Sequence, residues 1–330
     1  MKVLVTGGAG YIGSHAVRRL VERGHAVLVL DDLSHGHRAA VDARAEFIEG
    51  RTGDSALVAR ILSDRQVEAV LHFAADIEVG ESVDNPGKYY ENNFSNALKL
   101  LGAMRDVGVR KIVFSSTAAV YGDVETVPIE ETARRLPINP YGRSKHMTEL
   151  AIEDFSRAHG LGYAILRYFN VAGADPAGDI GEDHHPESHL IPKLLRAIDD
   201  PEGAPAKIFG TDYPTPDGTC IRDYVHVVDL VDAHILAVEK LRPGAGDVFN
   251  LGSERGFSVK EVIAACERVA GKKMRVEVGP RRPGDPPSLV AASRKAREIL
   301  GWRPRFAELD VILAHALAWH RNHPHGYRGR

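Results

Sequence analysis

The sequence predicts an α/β protein: a doubly wound parallel sheet with a smaller, irregular C-terminal cap. Three observations carry that prediction. Short continuous apolar runs, such as Val3 to Val5 and Val27 to Leu30, alternate with helical stretches through the first half. Such runs mark parallel strands buried on both faces. Between the first two lies a glycine-rich turn, Gly7-Gly8-Ala9-Gly10-Tyr11-Ile12-Gly13. After Gly173 the alternation stops, and prolines, glycines and carboxylates fill Asp175 to Pro186. A regular half followed by an irregular one gives a sheet domain over 1–172 and a region, mainly cap, over 173–330. Segments near 222–252 are expected to return to the sheet domain.

The elements follow in order. Lys2 to Thr6 is the first strand. Ser14 to Arg23 has helical apolar spacing, and Gly24 stops it. Ala26 to Leu30 is the second strand, ending in Asp31. This is a Rossmann-type βαβ unit with a glycine-rich first turn. Its glycines let the backbone approach a pyrophosphate whose charge sits at the helix N-terminus. Asp31 can accept bonds from both hydroxyls of an adenosine ribose and would repel a 2′-phosphate, so NAD is predicted over NADP. Val67 to His72 is a strand leading into Phe73-Ala74-Ala75. Asn85-Pro86 opens a helix carrying Tyr89, Tyr90, Asn92 and Asn93, then Leu98, Leu100 and Leu101. Lys111 to Ser115 is a strand with Ser116 and Thr117 at its carboxyl end, where open parallel sheets bind ligands. Gly162 to Tyr168 is another, ending in Phe169-Asn170. Helical spacing returns at His226 to Leu241, Ser258 to Val269 and Leu309 to His320. The last of these is expected on the cap, with Trp302 and Trp319 anchoring the chain end there and a fraying tail after Trp319.

Composition narrows the function classes. The 330 residues carry a formal net charge of −3 and ordinary apolar and charged fractions. Nothing points to nucleic acid or an anionic membrane surface. Cys220 and Cys266 show no pairing pattern, which fits a reducing, cytoplasmic setting. The apolar start runs straight into glycines and reads as a buried strand, not a signal peptide. No apolar stretch is long enough to span a bilayer.

Chemistry concentrates at Tyr141-Gly142-Arg143-Ser144-Lys145. Asn139 suits an N-cap and Pro140 the first helical position, and Met147, Leu150, Ala151 and Phe155 continue an apolar stripe. Tyr141 and Lys145 therefore share one helix face. A phenol is a poor base at neutral pH. The Lys145 ammonium and a cationic nicotinamide ring would favour the phenolate, and lowering a phenol by about three pKa units needs roughly 4 kcal/mol. Arg222 and Arg282 stand in loop-like stretches, Cys220 to Tyr224 and Pro280 to Asp285, and guanidinium suits a diphosphate. Asp183, His184, His185 and His189 are dense in metal donors, but their spacing around Pro186 lacks the geometry of zinc sites. A solvated loop without metal is expected there. The residues alone thus reach an NAD-binding α/β protein with a candidate tyrosine base.

Several stretches go further: Val3 to Ser14, Val79 to Val83, Phe114 to Gly122, Asn139 to Lys145, Leu166 to Gly173, Ile208 to Val228 and Pro280 to Asp285. In these, nearly end to end, the chain resembles the UDP-glucose 4-epimerases of the extended short-chain dehydrogenase/reductase family. The resemblance implies bound NAD, a homodimer and a UDP-sugar substrate. It assigns Gly7, Gly10, Tyr11, Ile12 and Gly13 to the pyrophosphate, Asp31 to the ribose, and Phe73, Ala74, Ala75 and Asn92 to the cofactor's surroundings. Lys145 would hold the nicotinamide ribose and Tyr168 pack near the ring. Tyr141 and Thr117 would handle the proton of the sugar's 4-hydroxyl. Asn170, His189, Phe209, Arg222, Arg282 and Asp285 match the UDP-sugar site, and Leu289 stands at the gate of the sugar pocket. His189 replaces an asparagine that lies near the sugar phosphates in some members, and Thr117 a serine of many members. Ile77 replaces a cofactor-contacting lysine of some members. Arg51 occupies the position of an aspartate that binds the adenine amino group, with Asp54 as the nearest substitute.

The implied reaction takes a hydride from sugar C4 and returns it to the opposite face of a 4-keto sugar. Related dehydratases place an acidic pair directly after the threonine, and UDP-xylose-forming decarboxylases a glutamate two positions on. Here stand Ala118 and Ala119, so elimination lacks its proton donor. Leu289, intermediate in size, keeps UDP-N-acetylglucosamine, UDP-xylose and UDP-arabinose as alternative substrates. A non-catalytic NAD-binding regulator would not need Thr117, Tyr141 and Lys145 together.

Overall fold

The computed structural model describes residues 1–124, 126–282 and 285–329. Pro283 and Gly284, within the arginine-bearing stretch, lie outside the described residues. The first part alternates regularly: β1 (Lys2–Thr6), α1 (Tyr11–Glu22), β2 (Ala26–Asp31), β3 (Glu46–Glu49), α2 (Ser55–Asp64) and β4 (Ala69–His72). Two short helices follow, α3 (Val79–Asp84) and α4 (Pro86–Tyr89), then a π-helical turn over Tyr90–Ser95 that runs into α5 (Asn96–Val107). Next come β5 (Lys111–Thr117), α6 (Pro140–His159), β6 (Gly162–Tyr168) and β7 (Asn170–Ala172). The remainder holds α7 (Leu190–Asp199), β8 (Ala206–Phe209), β9 (Ile221–His226), α8 (Val227–Lys240), β10 (Gly246–Leu251), β11 (Gly256–Ser258), α9 (Val259–Ala270), β12 (Val276–Gly279), β13 (Ser288–Leu289) and α10 (Leu309–Asn322).

Seven strands form one parallel sheet in the order β10-β6-β5-β4-β1-β2-β3. Period-two alternation sends Leu4, Leu28, Val70, Ile112 and Ile165 to a face covered by α2, α5 and α6. Val3, Val5, Val29, Val113 and Leu166 go to the other face, under α1 and α8. Both faces are therefore dry, which is why the strands read as continuous apolar runs. The cap has its own core, where α7, α9 and α10 meet through Leu194, Ile198, Val262, Cys266, Ile312 and Leu313. Beside it lie a small sheet of β7, β9, β11 and β13 and the pair β8–β12. β10 joins the edge of the large sheet, beside β6.

Two expectations are corrected. The chain does not fray after Trp319: a 3-10 turn at Gly326–Gly329 buries Tyr327, whose ring lies 4.8 Å from that of Trp319. A buried aromatic on each side of the turn supplies the apolar burial that polar composition alone did not reveal. Trp302 packs against the sheet core, not the cap, and its indole N–H donates to the Asp229 carbonyl at 2.7 Å. Among the described residues no helix is long and apolar enough to cross a membrane.

Candidate active site

Strand order reverses between β1 and β4, and the crevice at such a point binds ligands in doubly wound sheets. Phe73 and Ala74 donate their backbone N–H groups to the Thr6 carbonyl at 2.9 and 3.1 Å, which draws the two strand ends together. Gly7 has φ +72°, and a Cβ there would stand 2.6 Å from the Ala74 nitrogen. Only glycine fits. A Cβ on Gly13 would run into the Gly7 carbonyl, so that glycine lets α1 pack against the turn. Gly10 is the N-cap of α1, and neither a capping side chain nor an acidic residue serves its first turn. The N–H groups of Tyr11, Ile12 and Gly13 thus open onto the crevice mouth without an intrahelical partner. A diphosphate fits that need.

Asp31 ends β2, buried. Its two oxygens accept from Ala9 N at 2.9 Å and Leu33 N at 2.8 Å, and each keeps a lone pair for a ribose hydroxyl. Burial raises its pKa, opposed by those two bonds. The cradle and this carboxylate together fit NAD. Arg51 is ion-paired with Asp32 at 3.2 Å, and Asp54 caps α2 by accepting from Leu57 N at 3.0 Å. The Asn92 amide donates to Asp76 at 2.9 Å, while buried Asn93 accepts from Asp76 N at 2.8 Å and donates to its carbonyl at 2.9 Å. Both asparagines lie in the π-helical turn, which re-aims them toward the loop after β4. Ile77 is exposed.

The catalytic candidates converge as the sequence predicts. Asn139 caps α6 by accepting from Gly142 N at 2.8 Å, and Pro140 begins the helix. This sets Tyr141 and Lys145 one turn apart, both buried, against the carboxyl end of β5. The Tyr141 hydroxyl faces Thr117, whose own oxygen accepts from Ala119 N at 3.1 Å. Thr117 lies opposite Tyr168 in the β5–β6 register. Lys145 Nζ donates to the Ser115 carbonyl at 2.9 Å and sits 5.0 Å above the Phe114 ring.

Burial dominates the electrostatics of this pair. Burial raises the Tyr141 phenol, and the neighbouring Thr117 hydroxyl only partly offsets it. Burial also pulls the Lys145 ammonium down to about 7, against the nearby Glu149 and Asp76 carboxylates. The chain alone therefore keeps the phenol protonated, because desolvation disfavours both charged forms.

On the cap, predicted partners meet. Arg222 on β9 donates to the carbonyls of Ile221 and Pro286, both at 2.9 Å, and pairs with Asp285 at 3.4 Å. β13 pairs with β9 so that Leu289 lies opposite Arg222, and β7 pairs with the later part of β9 so that Asn170 lies opposite Tyr224. Arg282 stacks 3.9 Å over the Phe209 ring. His189 is the N-cap of α7.

The stretch around His189 is not the expected solvated loop. Glu182 and Asp183 are buried, and Asp183 accepts from the Tyr327 N–H at 3.0 Å. His185 stays exposed. His184 and His189 instead gather with Glu182 and Glu187, their donor atoms within 4.8 Å of one another. The donor types would suit a metal ion, and two of the four, Glu182 and His189, are hydrogen-bonded to each other.

Sequence reasoning missed several supports. Ser115 Oγ donates to His234 Nε2 at 2.9 Å, since His234 Nδ1 donates to the Leu230 carbonyl at 2.9 Å. Buried Glu149, one turn beyond Lys145, accepts from Arg167 at 2.9 and 2.7 Å and from Ser116 at 2.5 Å. A pair of asparagines inside a helical pattern was a usable signal, because asparagine is a poor interior helix residue. His234 on an apolar helix face carries none.

The profile of the NAD dependent epimerase/dehydratase family matches residues 3–252. The chain belongs to the NAD dependent epimerase/dehydratase family. Within this family, the UDP-glucose 4-epimerase of Lactobacillus helveticus is 51% identical over 100% of both chains. A solved UDP-glucose 4-epimerase from Bifidobacterium longum, in complex with NAD+ and UDP, has a TM-score of 0.94 and 36% identity over 99% of this chain and 100% of that one. The Brucella ovis enzyme, in complex with NAD, has a TM-score of 0.91 and 44% identity over 96% and 97%. The family's dependence on NAD agrees with the cradle and Asp31.

Proposed function

We propose that this chain is a UDP-glucose 4-epimerase that interconverts UDP-glucose and UDP-galactose and uses NAD as a retained cofactor. The observation that carries it is the hydroxyl pair Tyr141–Thr117 beside buried Lys145, followed by Ala118 and Ala119 where elimination would need an acid. The NAD-binding part is 1–172 with returning segments near 222–252, and 173–330 mainly binds the UDP-sugar. When bound, NAD supplies hydride uptake from sugar C4 and its return. Tyr141 takes the 4-hydroxyl proton, directly or through Thr117, and gives it back after the 4-keto sugar has turned over. Lys145 holds the nicotinamide ribose and, when charged, supplies the cation that the buried phenolate needs. Gly7, Gly10, Tyr11, Ile12 and Gly13 hold the pyrophosphate; Asp31 holds the ribose. Phe73, Ala74, Ala75, Asn92 and Tyr168 line the cofactor's path. Arg222, Arg282 and His189 anchor the diphosphate, with Asn170, Phe209 and Asp285 around the nucleotide. Leu289, beside Arg222, bounds the sugar pocket.

Incubation with UDP-galactose and no added cofactor should yield UDP-glucose at an equilibrium ratio by chromatography. No UDP-glucose, even with NAD supplied, would defeat this assignment and turn attention to UDP-N-acetylgalactosamine and the UDP-pentoses. The enzyme is proposed to be cytoplasmic, with Cys220 and Cys266 free and buried. It is also proposed to be a homodimer through α5 and α6, which expose Leu98, Met147 and Leu150. Sedimentation should give twice the chain mass of 36.0 kDa. A monomer at all concentrations would remove the dimer, and Leu98→Glu should shift the equilibrium toward monomer.

A further inference from the structure

Outside the Tyr141 constellation, Glu182, His184, Glu187 and His189 form a cluster that meets the glycine-rich turn through His184 and Tyr11. The ring of His184 stands edge-on to both Tyr11, at 6.4 Å, and His189, at 5.3 Å. Glu182 is buried beneath them. His189 Nδ1 hydrogen-bonds Glu182 Oε1, and His184 Nδ1 stands 3.3 Å from the same oxygen. Glu187 accepts the His189 backbone N–H at 2.8 Å. The His189 side chain remains 41% exposed, so Nδ1 faces the buried carboxylate while part of the ring faces outward. As N-cap of a ten-residue helix, it also stands where an anion is favoured.

We propose that Glu182 is a positioning residue: its buried carboxylate fixes the His189 ring through Nδ1 and holds it as an imidazolium, so that Nε2–H is a charged donor to the substrate's diphosphate. The inference rests on the assignment of His189 to the UDP-sugar site. A neutral imidazole could donate from only one nitrogen, and Glu182 would take that proton. Charging the ring provides a second donor, which is what a histidine needs to replace the neutral amide of an asparagine and gain affinity for an anion.

The surroundings favour that charge. Burial opposes it, but Glu182, Glu187 and Glu78 together push His189 up to about 9. Glu78 is brought close by its bond from Ser188, at 2.6 Å. Burial would raise Glu182 itself, but His189 and His184 hold it near 2. The other groups around the cluster are Tyr11 on α1, Lys193 and Arg196 on α7, His320 on α10, and Arg282, which acts on Lys193. The sign follows from the raised value. The imidazolium persists from acid pH through neutrality and is lost as pH rises through about 9.

Titration calorimetry of the NAD-loaded enzyme with UDP, and with uridine as the probe lacking phosphate, tests this. At pH 8, Glu182→Gln and His189→Gln should each weaken UDP about tenfold, the size expected for losing one charge-assisted bond, and leave uridine unchanged. At pH 6 the Glu182→Gln defect should shrink, because bulk solvent then protonates the imidazole, while the His189→Gln defect stays. His189→Arg, permanently charged, should restore UDP binding in the Glu182→Gln background. If His189→Gln weakens UDP and Glu182→Gln does not, the role of Glu182 is overturned and the diphosphate site stands. If neither variant changes UDP binding, the assignment of His189 falls with it. An equal loss for uridine, or loss of UDP affinity on exhaustive chelation of the unaltered enzyme, would also overturn the proposal. Carbon-13 histidine NMR of the unaltered enzyme gives an answer even if a variant fails to fold: His189 should be charged at pH 8, and a neutral ring there overturns the proposal.

Discussion

Tyr141→Phe should lower turnover of UDP-galactose at least about a hundredfold, the usual scale for removing an acid–base group. The substituted ring still fills its buried place beside Tyr89, whose ring lies 6.5 Å away at a T-shaped angle. Only the hydroxyl that meets Thr117 is lost. The assigned UDP contacts lie on the cap and the cofactor cradle on the first turn, so KM and NAD content should hold while kcat falls. This split distinguishes a proton carrier from a binding residue. Near-normal turnover would take the tyrosine out of the reaction. A parallel loss of NAD would assign it a structural task instead.

The largest effect on stability should come from Arg167→Met. Glu149 is fully buried and Arg167 nearly so, and the two share a bidentate pair. Burial would raise the Glu149 carboxyl, but His146, Arg167 and Ser116 hold it at about 2. Removing the guanidinium leaves the buried carboxylate with only Ser116 and the more distant Arg135, at 3.4 Å, at a cost of about 3 kcal/mol. Urea unfolding should show this, with Arg167→Met/Glu149→Leu losing less than Arg167→Met alone. The pH dependence has a defined sign. A depressed carboxyl stabilises the fold above the ordinary value of 4.5, and that contribution is lost as pH falls from there toward about 2. The gap between the unaltered protein and Arg167→Met should therefore narrow below about pH 4.5. An unchanged gap would mean that the pair does not carry the effect.

Much of this architecture can be read from residue pattern. Buried parallel strands announce themselves as unbroken apolar runs, and a capped helix such as Asn139–His159 carries its own start and stop. The glycine turn is legible because only glycine satisfies Gly7, pressed against Ala74. Tyr141 and Lys145 are legible through helical periodicity, and Thr117 through its place at a strand end. The cap is different. β13 has two residues and β11 three, too few for periodicity to show. Their pairing with β9, which seats Leu289 beside Arg222, depends on contacts distant in sequence. The Glu182–His189 pair was hidden for a related reason: a charged, proline-containing stretch reads as solvated until the Trp319–Tyr327 layer is seen to cover it. Sequence spacing conveys the proximity of Tyr141 to Lys145 but not the desolvation that acts on both.

The return of β10 to the edge of the large sheet has a consequence for how the molecule can be divided. After Ala172 the chain builds part of the cap, comes back through α8 and β10, and leaves again. A fragment ending at Ala172 would bare β6 as an unpaired edge and strip α1 of its neighbour α8. Neither half keeps its packing when cut from the other. A recombinant exchange of caps between relatives must leave behind both Val227 to Leu251 and the stretch from Ala296 to Trp302 that packs on the sheet core, or the recipient loses its own foundation.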